Sequence, residues 1–151
     1  MNTRRQLLCA AQSLCDDFAS KKDVASLLSH FSRTVQPSAI EHGEPLLAPF
    51  LGRRFVGIGG IQSYFELLAQ HLTYQNMRFS EYVVDVEERK VAVKGQAEFT
   101  WTASGDAWDE TFAYVLDFDE QAKVVRYQVW ADSGAAYLAR IGELDRKRKG
   151  N

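Results

Sequence analysis

The stretch VAVKGQAEFTWTASGDAWDETFAYVLDFDEQAKVVRYQVW, residues 91–130, alternates apolar and polar side chains along most of its length. A period of two is the mark of a half-buried β-strand. Ser104-Gly105-Asp106 and Glu120-Gln121 interrupt it with turn residues, as Glu88-Arg89 does just upstream. The pattern predicts four strands, over residues 77–87, 90–103, 107–119 and 122–131. Connections this short force neighbouring strands to be antiparallel.

Outward from this meander the period changes to that of helices. Leu7, Leu8, Ala11, Leu14, Cys15 and Phe18 recur at helical spacing over residues 3–19. Asp23 can cap a second helix whose stripe is Val24, Leu27, Leu28 and Phe31. Residues 38–43 and 53–56 read as short extended pieces, and Ile61, Phe65, Leu68 and Leu72 share one side of a third helix. A closing helix is expected from Ser133 to about Arg146, followed by a frayed basic tail. Helices segregated from an antiparallel sheet make a single α+β domain over residues 1–151, with its core at about 3–145. A long, twisted sheet covered on one face by helices curls into a cone, and the axis of such a cone is a natural small-molecule pocket.

Bulk composition sets limits. The chain has 151 residues and a net charge of -2, which suits one core and argues against a nucleic-acid binder. No apolar run reaches the ~18 residues of a membrane span. The apolar segment LLCAA after Arg4-Arg5 is too short for a signal peptide, so a cytoplasmic protein is expected. Cys9 and Cys15 fall on different sides of one helix and cannot pair; both are expected to be buried. No Cys/His spacing reads as zinc, and glycines 57, 59 and 60 lack the preceding strand and the distant acid of a dinucleotide fingerprint. No cofactor is expected.

Asp132 stands where the last strand gives way to the closing helix, just after Trp130. An aspartate there can accept the first amide protons of the helix, worth ~1 kcal/mol. It can also face a poorly solvated cavity, where burial raises its pKa and suits it to acid/base work. His42, beside Glu41 on the first short strand, is expected to be its partner across the pocket, histidine being the side chain best placed to move protons near neutral pH. Tyr64, Tyr114 and Tyr127 can donate to a substrate carbonyl, Trp101 and Trp130 offer planar surfaces, and Arg53 near the pocket entrance can hold an anion. Glu98 and Glu110 lie on adjacent strands; either would rival Asp132 if it pointed inward, but a solvated sheet face or a dimer contact is the expected home of both. Parity groups Arg126, Gln128, Trp130 and Asp132 on one side of the last strand, and Glu110 with Trp108, Phe112 and Tyr114 on another. Which polar members turn inward depends on register, since a slip of one residue flips every side chain.

The segment Asp132-Ser133-Gly134, then Leu138 and Ile141-Gly142, resembles the end of the last strand in SnoaL-like polyketide cyclases, members of the nuclear transport factor 2-like superfamily. Pro49 to Gly57, with Ile61 and Tyr64-Phe65, resembles their loop into the third helix. The resemblance implies a cone-shaped α+β fold and an acid/base role for Asp132. It further implies a cyclase, dehydratase or isomerase of secondary metabolism acting on a polyketide-like or aromatic small molecule. A homodimer through the exposed sheet face is expected. The alternative is a non-catalytic binding or dimerisation module of the same fold.

Overall fold

Thr3 opens the first helix with a capping box: its hydroxyl accepts from the Gln6 amide at 3.1 Å, and the Gln6 side chain accepts from the Thr3 amide at 2.8 Å. The structure, a computed structural model, describes residues 2–150. Helix α1 (Arg4–Ala19) buries Leu7, Ala11, Leu14, Cys15 and Phe18 in one stripe against the sheet. Cys9 lies on its exposed side, contrary to expectation, because only one face of the helix meets the core. Asp23 caps α2 (Val24–Leu28) by accepting from the Ser26 amide at 2.9 Å. Phe31 does not extend that helix; it bridges to Val124, with its ring buried in the core.

Strands β1 (Ser38–His42) and β2 (Arg54–Val56) precede α3 (Gly57–His71). Leu72, expected on the apolar side of α3, instead opens β3 (Leu72–Asp85), because it pairs with Trp101 at the end of the β3–β4 ladder. Strands β4 (Lys90–Trp101), β5 (Ala107–Phe118) and β6 (Val124–Trp130) fall within their predicted spans. The closing helix is two pieces, α4 (Ser133–Arg140) and α5 (Leu144–Lys149). Gly142 separates them at φ +73°, and the Glu143 amide returns to the Leu138 carbonyl at 2.8 Å. The basic run thus lies on a short exposed helix rather than a frayed tail, with Arg146 paired to Glu143 at 3.0 Å. Among the described residues no helix is long and apolar enough to cross a membrane.

The sheet runs β2-β1-β6-β5-β4-β3. It is mixed rather than wholly antiparallel, since β1 lies parallel to β6. That pairing joins residues almost ninety positions apart, which is why local turn signals do not reveal it. Two register shifts curl β3, one between Gln75 and Arg78 and one between Ser80 and Val83; Asn76 and Glu81 sit there at φ +55° and +60°. A third irregularity, beside Phe118, carries Val124 into the core and splits it from the parity set of Arg126, Gln128 and Trp130.

The inner face of the curved sheet is aromatic, and one glycine makes room for it. Gly95 sits opposite Phe112 in the β4–β5 ladder. A Cβ at Gly95 would lie 2.3 Å from the Phe112 ring, far inside van der Waals contact. Gly95→Ala should therefore displace Phe112 and destabilise the domain by about 1–3 kcal/mol in chemical denaturation. Phe112→Leu in the same background should recover part of that loss, because the two residues compete for one volume.

Candidate active site

Side chains paired across strands share a face, so the ladders decide which residues meet. Glu41 pairs with Val129, and Val129 with Tyr114; this row faces inward. Four residues back along β5 on the same face stands Glu110, between Trp108 and Phe112. Both carboxyl groups line a cavity of about 370 Å³ whose walls include Phe18, Phe65, Tyr74, Phe99 and Phe112. That volume suits a small ring system.

The cavity's polar groups are few. Tyr64 donates its hydroxyl to Glu41 Oε1 at 2.8 Å. The Tyr127 hydroxyl adjoins that of Tyr64, and Tyr114 adjoins Tyr127, so three tyrosines run in series behind Glu41. Trp108 donates its indole N–H to Glu110 Oε1 at 3.0 Å. Among the described residues, no three of His, Cys, Asp and Glu gather as a metal-binding group.

Solved structures of the same shape cover nearly the whole chain. An NTF2-like protein from Burkholderia xenovorans matches 91% of this chain and 97% of its own, at 14% identity and a TM-score of 0.74. The fold is that of the nuclear transport factor 2-like superfamily. AusH from Aspergillus nidulans matches 88% of both chains at 25% identity and a TM-score of 0.67. The BvnE pinacolase from Penicillium brevicompactum matches 98% of this chain and 99% of its own, at 18% identity and a TM-score of 0.68. No family model and no curated protein matches the sequence.

Within this nuclear transport factor 2-like cone, the expected pairing of Asp132 with His42 is not formed. His42 pairs with Trp130 and shares its outer face; the rings stack at 4.4 Å, and His42 Nε2 meets Gln128 Oε1 at 2.9 Å. Asp132 follows the same parity outward, and its Oδ1 accepts from the Ala135 amide at 3.0 Å as the cap of α4. Its carboxyl is exposed and acts on Glu110 only through its charge and its backbone amide. Trp130, expected as a pocket wall, is 44% exposed on the outer face. Trp101 is core, donating to the Ala136 carbonyl at 2.8 Å. Arg53 lies over the Phe55 ring at 4.9 Å and donates to the Pro49 carbonyl, outside the cavity. Tyr64, Tyr114 and Tyr127 do line it. Glu98 faces outward, opposite Asp109.

Burial governs the two inward carboxyls. It lifts Glu41 to about 8 against the Tyr64 hydrogen bond, with Glu110 adding a like charge. It lifts Glu110 to about 7, opposed by the Trp108 hydrogen bond. A carboxyl raised on folding binds more protons folded than unfolded. Its stabilisation is complete below the unfolded pKa, ~4.3, and drains away as pH climbs through the folded value. Thermal stability should therefore fall between pH 5 and 9. Glu41→Gln/Glu110→Gln should match the parent at pH 5 and exceed its Tm at pH 9, in melts followed by circular dichroism. Equal pH dependence in the two proteins would contradict the burial of these groups.

Proposed function

We propose that the protein is an acid/base enzyme of secondary metabolism, a cyclase, dehydratase or isomerase, acting without a cofactor on an aromatic or polyketide-like small molecule. The observation that carries this reading is the pair of carboxyl groups, Glu41 and Glu110, facing one apolar cavity with ordinary values displaced toward neutrality. Acid/base work at neutral pH needs groups poised there, and desolvation is how a carboxyl reaches that range.

The roles follow from the donor each carboxyl keeps. Glu110, held by the Trp108 indole, is the base that takes a proton from carbon beside a substrate carbonyl. Glu41, held by the Tyr64 hydroxyl, is the acid that gives its proton to the carbonyl oxygen, leaving an enol. The Tyr64 hydroxyl then stabilises the Glu41 carboxylate so formed. Return of the proton at a different carbon is isomerisation. Loss of a neighbouring hydroxyl as water is dehydration, and attack of the enol carbon on a second carbonyl closes a ring. The fold shared with AusH and the BvnE pinacolase supports small-molecule chemistry of this kind.

A second reading draws on the outer face. The exposed Trp130–His42 stack is an aromatic surface that the cavity does not use, and it favours a homodimer through the sheet. The dimer is compatible with the enzyme; a purely dimerising module would leave both carboxyls without a task.

The base can be tested without the natural substrate. 5-Nitrobenzisoxazole opens to a coloured phenolate when a base removes its ring C–H proton and the N–O bond breaks. The protein should accelerate this with a rate that rises with pH through about 7. Glu110→Gln should lower the rate by about 10²-fold. His42→Gln should leave it unchanged, and Asp132→Asn should keep most of it while moving the pH midpoint down, because a like charge beside Glu110 is removed. Loss in Asp132→Asn with retention in Glu110→Gln would overturn the assignment.

A further inference from the structure

We propose that the substrate carries an acidic group, a carboxylate or an ionised phenol or enol, held at the cavity mouth by the ammonium of Lys21 with Lys22 beside it. The inference rests on the acid/base reading of the same cavity and adds the class of molecule that enters it. Among the described residues, Lys21 and Lys22 are the only cationic side chains lining the cavity. Both are exposed, which sets them at its rim.

Neither has an ionic partner among the described residues. The nearby acids are engaged elsewhere. Asp17 holds His30 at 2.6 Å, and Asp23 accepts from the Ser26 amide while Lys22 acts on it only through space. Lys21 instead projects over the Tyr74 ring, its Nζ 5.4 Å from the centroid. Tyr74 is pinned in turn, donating its hydroxyl to the Phe18 carbonyl at 2.6 Å. A cation is thus parked on an aromatic wall of the cavity with its charge unspent.

The backbone supplies a second, independent observation. Lys21 ends α1 at φ +57°, with its amide on the Phe18 carbonyl and the Lys22 amide on the Asp17 carbonyl. This helix end favours glycine, and a side chain there is strained. An anionic head on Lys21 would orient the apolar body inward while keeping the charge away from Glu41 and Glu110, which a buried anion would oppose.

Two dyes test this. 1-Anilinonaphthalene-8-sulfonate and N-phenyl-1-naphthylamine share one ring system and differ by the sulfonate. The protein should bind the sulfonate about tenfold more tightly, with a preference that fades as salt rises. Lys21→Gly should melt higher than the parent, because it relieves the backbone, yet lose the preference while keeping the neutral dye. Lys21→Arg should restore it. Equal binding of the two dyes, or a preference that survives in Lys21→Gly, overturns the inference and leaves the acid/base reading standing. Failure of both dyes to bind overturns the cavity itself, and both readings with it.

Discussion

Carboxyl groups turned into an aromatic hollow are the constraint on which the rest depends. Water normally pays the solvation of an ionised carboxylate; here rings surround Glu41 and Glu110 instead. Each group answers by holding its proton to higher pH and by keeping a side-chain donor, Tyr64 for one and Trp108 for the other, with the Asp132 amide also acting on Glu110. Those donors are themselves parts of the frame. Tyr64 is buried on α3, and Trp108 begins the inner row of β5. The chemistry is therefore set by elements that the hydrophobic core already holds rigid, which is what preorganisation requires.

Curvature is what makes the hollow. A flat sheet carrying the same inner residues would have packed shut against α1 and α3. The register shifts in β3 bend the strands around an axis, the missing side chain at Gly95 leaves room for the Phe112 ring, and the helices then cover the opening only in part. The outer face tells the opposite story. Polar and small side chains dominate it, and His42, Gln128 and Trp130 form a local cluster there with no view of the interior.

Much of this was legible in the amino-acid order. The meander, its turns, the first helix and the cone class follow from periodicity alone. Glu110 was legible only in part: it shares parity with Trp108, Phe112 and Tyr114, but a carboxyl on a strand is expected on a solvated face, and only the register settles that it turns inward. Glu41 was not. Its orientation depends on β1 lying parallel to β6, and no local pattern in five residues reports a partner so far along the chain. His42, one position on, drew the functional reading because histidine titrates near neutrality, but a one-residue step in a strand is a change of face. Asp132 illustrates the same ambiguity: capping and catalysis ask for the same residue at the same junction, and here the capping bond is the one formed.

The most direct measurement is a carbon-13 titration of the glutamate side-chain carboxyls by nuclear magnetic resonance from acid to alkaline pH. The expected result is two carboxyl carbons with midpoints near 7 and 8, the first absent in Glu110→Gln and the second in Glu41→Gln. If every glutamate instead titrates close to the solvent-exposed value, ~4.3, the two groups are hydrated and the account of the site is wrong.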